Sequence, residues 1–137
     1  MSEVPAGFVL IAPTSPAHEL VGPFYEKMRD DGSRIIGMRV AHQHLNRIGV
    51  IHGGLVCTFC DFAMSQATMR TLEPGRKYVT ANLSADFAGS ANEGEWIEAH
   101  AEVFRSGRRV VFVNCFVYRG EQRIARASGT FVVLTPL

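Results

Sequence analysis

The stretch from Asn46 to Asp61 reads Asn-Arg-Ile-Gly-Val-Ile-His-Gly-Gly-Leu-Val-Cys-Thr-Phe-Cys-Asp, and its residue types suit chemistry at a polarised carbonyl. A polar loop ends at His52-Gly53-Gly54, and an apolar helix is predicted to begin there. Two glycines at a helix start let a ligand approach the backbone closely. Unpaired N–H groups and the positive end of the helix dipole can then hold an oxyanion. Asp61 stands among Phe59, Cys60, Phe62, Ala63 and Met64, where a carboxylate is costly to bury without a partner or a task. An oxyanion holder and a carboxylate together suggest hydrolysis.

Helix geometry separates the two groups. Nine residues at ~100° each amount to a net rotation of about half a turn and a rise of roughly 13 Å. His52 and Asp61 therefore face opposite sides of one helix and do not easily meet at one site within one chain. A symmetric partner could bring its Asp61 to this chain's His52-Gly53 end, so the spacing favours a shared, two-chain site.

The elements that must position these residues follow from periodicity. Gly53 to about Leu72 reads as one long helix ended by Glu73-Pro74-Gly75, apolar nearly all round and so expected to be enclosed. Upstream, Leu20, Val21, Phe24, Tyr25 and Met28 recur at helical spacing, predicting a short helix over Ala17 to Met28 that Pro23 bends or restarts. Asp30-Asp31-Gly32 stops it; Arg34 to Ala41 reads as a strand, followed by an irregular loop through Val50. Downstream, Val79, Ala81, Leu83, Ala85 and Phe87 alternate with polar residues at a period of two, and Glu95 to Phe104 alternates more weakly. Arg105-Ser106-Gly107-Arg108 reads as a turn, Val110 to Tyr118 as a strand, Gly120 as a tight hairpin and Arg123 to Leu134 as the last strand. A curved sheet around one helix leaves strand edges unpaired, which a chain this short would cover by dimerising.

At 137 residues the chain is expected to form a single domain over 1–137, with 1–16 a loosely ordered N-terminal segment. Its 47% hydrophobic and 20% charged residues fit a soluble globular protein, and a formal charge of +1 argues against nucleic acid as a partner. No apolar run approaches the ~18 residues that span a membrane. The apolar residues 7–12 lack a preceding basic residue and make a poor signal peptide. Three cysteines, an odd number, suggest a reducing, cytoplasmic setting. Cys57 and Cys60 form a CxxC pair inside a hydrophobic helix, where core packing accounts for them better than redox chemistry. His42, His44 and His52 lack a second tight ligand pair, so no metal is expected.

This order of elements, with Asn46-x-x-Gly49-x-x-His52-Gly53-Gly54 and Asp61 nine residues past the histidine, resembles the hotdog-fold acyl-CoA thioesterases. Within them it is most similar to the branch of the phenylacetate-pathway thioesterases and thioesterase-superfamily member 2. The similarity runs from about Arg34 to Leu134, with Arg105-Ser-Gly-Arg108 and the final strand supporting it more diffusely. The resemblance implies an α+β hotdog fold: a long central helix wrapped by a curved antiparallel sheet of about five to six strands, with an N-terminal helix. It also implies a homodimer, usually paired into a homotetramer, with active sites at the subunit interface. In its terms Gly53, beside His52, is the oxyanion donor. Asn46 helps bind the thioester or position water, Asp61 is general base or nucleophile, and Thr80 places a hydroxyl near that carboxylate. CoA contacts fall at Gly54, at the aromatic Phe87 and at the turn Arg105, Ser106, Gly107, Arg108 and Arg109, whose guanidinium groups suit phosphate. CoA is part of the substrate, and no separate cofactor is implied. Two departures are Arg47, where many relatives have proline, and Ser90-Ala91, which lacks the proline common after this strand.

Blander roles stand beside these. A lone buried Asp is often a cap or ion-pair partner, Gly-Gly pairs are common in turns, Thr80 suits any strand and an arginine turn suits any solvated hairpin tip. Two other functions share the fold: a non-catalytic acyl-CoA binding or sensing protein, and a hotdog dehydratase. A sensor would carry an attached DNA-binding helix pair, and a dehydratase would want a histidine placed as base on the acyl chain. The acyl group is left open between aromatic acids and medium straight chains.

Overall fold

A computed structural model describes residues 3–135. Seven antiparallel strands form one sheet: β1 (Val9–Leu10), β2 (Tyr25–Met28), β3 (Arg34–Arg39), β4 (Tyr78–Phe87), β5 (Trp96–Ser106), β6 (Val110–Arg119) and β7 (Gln122–Val133). Two helices accompany them, α1 (Pro16–Val21) and the long α2 (Gly53–Thr71). The strand order is β1-β2-β3-β5-β6-β7-β4, so β4 lies at one edge and β1 at the other. The sheet curls around α2, the hotdog arrangement that the sequence pattern implies.

Strand alternation explains which face turns inward. In β6, Val111, Val113, Cys115 and Val117 are buried while Phe112 and Asn114 point outward. Ala127, Gly129, Phe131 and Val133 do the same in β7. They meet Val56, Phe59, Cys60, Ala63 and Met64 of α2, and each fully buried large side chain contributes about 1.5–3 kcal/mol. Gly129 lets β7 lie close to α2: a Cβ there would lie 2.9 Å from Met64 Cε, so a larger residue makes the end of the Met64 side chain shift.

The N-terminal third departs from its sequence pattern. The helix predicted over Ala17 to Met28 stops at Val21, with Ser15 accepting from the His18 N–H as its N-cap, and Tyr25–Met28 is strand β2, paired with Arg34–Gly37. Gly22-Pro23 breaks the helix, and the ladder with β3 outweighs the local helical spacing. The segment 1–16, expected to be loosely ordered, contributes Val9 and Leu10 as β1 against Tyr25 and Glu26; its first two residues lie outside the described ones. The sheet therefore has seven strands rather than five or six. The arginine turn also shifts: Arg105 and Ser106 end β5, past a bulge at Phe104, and Gly107 to Arg109 make the connection.

The loop before α2 is fastened from several sides. Buried His44 accepts the Ala41 N–H on Nδ1 (2.9 Å), which leaves its Nε2 proton to donate to the Val21 carbonyl (2.6 Å) and ties the loop to α1. Ile51 N–H donates to the Ala91 carbonyl and His52 N–H to that of His44. The start of α2 is thereby fixed before any ligand arrives. No helix among the described residues is long and apolar enough to cross a membrane.

Candidate active site

Two groups of the singled-out residues assemble, at opposite ends of the chain's edge strand. The first lies on the outward flank of α2. Asp61 is half-buried, and its Oδ1 accepts the Thr80 hydroxyl of β4 at 2.7 Å. Thr80 precedes a bulge in the β4–β7 ladder. Asp61 opens on a groove of about 400 Å³ bounded by Thr58 and Met69 of α2, His18 of α1, Phe24 and Tyr78. This flank is less enclosed than the all-round apolarity of α2 predicts, because the short α1, the residues flanking it and Tyr78 leave a groove there instead of covering it.

The second group lies at the start of α2. His52 caps the helix, its Nδ1 accepting the Gly54 N–H at 2.8 Å. The N–H groups of Leu55 and Val56 both reach the His52 carbonyl. The Gly53 N–H has no acceptor among the described residues, which leaves one first-turn donor available to a ligand. Gly54, by contrast, is already engaged by the His52 ring. Phe87, at the far end of β4 and half exposed at 52%, lays its ring against this corner, 3.5 Å from where a Gly53 Cβ would sit.

Asn46 organises the loop leading into this corner. Its Oδ1 accepts from the N–H groups of Ile48 (3.0 Å) and Val50 (3.2 Å), an Asx turn completed by Gly49 at φ +88°. Its side-chain oxygen is therefore occupied by the loop, and its side-chain NH₂ has no acceptor among the described residues.

Register decides how these groups relate. Thr80 pairs with Phe131, and Phe131 with Val111, so Thr80 and the arginine turn share one end of the sheet. Phe87 pairs with Ala125, and Ala125 with Val117, at the other end. Seven residues of strand put these ends roughly 23 Å apart. Asp61, Thr80 and Arg105, Ser106, Gly107, Arg108 and Arg109 thus fall at one end, and Asn46, His52, Gly53, Gly54 and Phe87 at the other. The chain does not bring Asp61 and Gly53 together.

Two arginines near Phe87 escaped the sequence reading. Arg123 stacks over Phe116 (4.4 Å to the ring centre) and donates to the Tyr118 hydroxyl, while Arg126 pairs with Asp86 at 2.9 Å. Both line a groove of about 340 Å³ that Phe87 borders. The signal was the alternation of β7, but only its register with β4 and β6 shows that it delivers cations there.

The thiols are quiet. Burial raises the Cys57 pKa, and Cys60 hydrogen bonding together with burial pushes Cys115 well up, so both favour the thiol; Cys60 and Cys115 lie in the core, whereas Cys57, expected to pack there too, is only half-buried. His44 and His52 are committed to the backbone contacts already described, and His42 faces Glu93 at 3.5 Å. Among the described residues no group of three or more His, Cys, Asp or Glu could hold a metal ion.

One long central helix wrapped by a curved antiparallel sheet is the hotdog fold, and here that helix carries a half-buried carboxylate and, at its glycine start, a free N–H. The family model described as Thioesterase superfamily matches residues 48–125, and the chain belongs to that superfamily. A provisionally named esterase of Pseudomonas aeruginosa is 35% identical over 131 residues, covering 96% of this chain and 98% of its own. The structure of zebrafish thioesterase superfamily member 2 matches with a TM-score of 0.77 and 26% identity, covering 89% of each chain. A Bacillus halodurans protein whose structure was determined with CoA matches with a TM-score of 0.75 and 26% identity over 82% of this chain and 74% of that one. Family and relatives support hydrolase activity for this chain.

Proposed function

We propose that this chain is an acyl-CoA thioesterase, releasing a free carboxylic acid and CoA at a site shared by two copies. One observation carries the reading. The Asp61–Thr80 pair and the free Gly53 N–H lie at opposite ends of β4, a strand that pairs only with β7 among the described residues. Antiparallel pairing of two β4 edges about a point between Leu83 and Ser84 sets Thr80 of one copy opposite Phe87 of the other. Asp61 of one copy then faces the Gly53 corner of its mate. Val79 and Phe87, 50% and 52% exposed, are the apolar side chains such pairing would cover.

In this site the thioester carbonyl accepts from the Gly53 N–H, which stabilises the oxyanion as water attacks. Asp61 takes the proton from that water, with Thr80 holding the carboxylate by its Oδ1 and leaving Oδ2 for the water. Collapse of the tetrahedral intermediate breaks the C–S bond, and the proton on Asp61 passes to the departing thiolate. The acid and CoA leave, and Asp61 is again ionised. The side-chain NH₂ of Asn46 contacts the thioester, and the groove beside Asp61 holds the acyl group. Arg123 and Arg126 beside Phe87, together with Arg105, Arg108 and Arg109 from the opposite end, supply the cations for the CoA phosphates. No cofactor or metal enters these steps.

Thiol release from a panel of acyl-CoA esters, read with a disulfide reagent, tests the reading. Turnover of at least one ester is expected, and none across aromatic and straight-chain esters rejects it. In a single turnover in oxygen-labelled water, label in Asp61 shows that the carboxylate attacked and that water then opened the anhydride at the Asp61 carbonyl, whereas a base leaves Asp61 unlabelled and the label in the product acid.

A further inference from the structure

Away from the Asp61 groove, α2 turns another flank toward a separate cavity of about 460 Å³, between the β2–β3 turn, β3 and β5. No residue lines both spaces. Its walls are apolar where α2 meets the sheet, with Ile36, Ala63, Ala67, Ala101 and Val103. The alanines leave the space; larger side chains at those positions would fill it. Arg29, Arg34 and Arg70 converge on its rim.

The three guanidinium groups are compensated unequally. Arg70 donates to Glu26 at 2.8 Å. Arg29 donates to Nδ1 of His100 at 2.8 Å; with Nδ1 accepting, the His100 proton sits on Nε2 and goes to Glu98 at 3.2 Å, so Arg29 rests on a neutral ring. Asp31 is close enough to Arg29 for the charges to interact, but its Oδ1 is spent on the N–H and hydroxyl of Ser33. Arg34 has no hydrogen bond or ion pair among the described residues, and its Nε is buried without a partner. Burial draws the Arg70 pKa below the usual arginine value; Glu26 opposes this and Arg34 reinforces it, so the two cations feel each other. Glu102, the remaining carboxylate on the rim, is exposed and makes no ion pair among the described residues.

A guanidinium with no counter-ion among the described residues, its Nε buried without a partner above an apolar floor, is an incomplete site. We propose that this cavity binds a small organic carboxylate, its charge on the Arg34 fork and its apolar body against Ala67, Ala101 and Val103. Planar guanidinium matches a carboxylate with two parallel hydrogen bonds. The apolar floor selects an acid with a hydrocarbon body over an inorganic anion. This does not depend on Asp61 being catalytic, although the acid released by a thioesterase has this chemistry.

Isothermal titration calorimetry of the full chain with hexanoate and phenylacetate, with acetate and inorganic phosphate at matched ionic strength, tests the site. Hexanoate or phenylacetate binds, and acetate and phosphate do not. Arg34→Leu weakens the binding by roughly tenfold or more, the loss expected for a charged hydrogen-bond pair. Ala67→Leu, which fills the cavity and leaves the guanidinium groups in place, weakens it as well. Gln66→Trp, which fills the Asp61 groove, leaves it unchanged. Arg34→Leu also raises the Tm of the ligand-free protein, because an uncompensated cation has been removed. The proposal is overturned if the native chain binds neither acid, if phosphate or acetate binds as tightly, or if binding is lost in Gln66→Trp and kept in Arg34→Leu. Should Arg34→Leu not fold, retention of binding by Ala67→Leu overturns it equally.

Discussion

Thr80 gives its hydroxyl proton to Oδ1 of Asp61 at 2.7 Å, linking the edge strand to the central helix. The bond fixes which carboxylate oxygen faces the protein and which faces a ligand. Replacing Asp61 with Asn keeps the shape and an acceptor for Thr80 but removes the base. Turnover should fall by about 10²–10⁴-fold with the Michaelis constant little changed. Thr80→Val should cost roughly tenfold, and Thr80→Ser should restore most of it. Steady-state kinetics on one ester decides, and near-normal turnover in Asp61→Asn removes the carboxylate from the mechanism.

The oxyanion donor is a backbone group, and the fold permits its removal. Gly53 is the first residue of α2, its N–H is unbonded, and His52 before it has φ −67° and ψ 133°. A proline fits that position, because the first helical turn lacks an N–H acceptor and the preceding residue is already extended. Gly53→Pro should therefore leave the melting temperature within a few degrees of native while turnover falls by about 10²–10³-fold. Native-like activity in a folded Gly53→Pro protein would place the oxyanion elsewhere.

Two such variants test whether one site draws on two chains. Asp61→Asn and Gly53→Pro are each inactive as pure dimers. In a mixed dimer one site collects both defects and the other none. Refolding an equal mixture should recover about a quarter of native activity from random pairing of two-fold dimers. Recovery no greater than the average of the two variants means that each chain holds its own complete site.

The long helix and five of the seven strands were legible, because hydrophobic spacing reflects burial against a single core. Tyr25 to Met28 was not, since Phe24, Tyr25 and Met28 happen to continue the helical spacing of Leu20 and Val21, and only the ladder with Arg34–Gly37 makes them a strand. Val9 and Leu10 are too short a run to show any period. In the site, Asp61 and the His52-Gly53-Gly54 corner stood out as chemistry in an apolar context. The grouping of Phe87 with the arginine turn did not survive within one chain, because strand register places them at opposite ends. Sequence spacing gives distance along a chain, whereas register between non-adjacent strands decides which ends meet.

His18 gives the free protein a dependence on pH. It is 4% exposed, its Nδ1 accepts the Thr14 N–H, and its ring packs between Phe24 and Phe62 at 5.1 and 4.8 Å. Burial holds its pKa below the ordinary 6.5. Between the lowered value and 6.5 the unfolded chain binds a proton that the folded chain refuses, so unfolding gains as pH falls. The stability that His18 allows is present above about pH 6.5 and is lost progressively below it, until the folded ring itself takes up the proton. Thermal melts from pH 8 down to pH 5 should show Tm dropping through that window. His18→Phe keeps the aromatic packing and has nothing to titrate, so its curve should fall less steeply. Parallel curves for the two proteins would show that another group sets the acid limit of the fold.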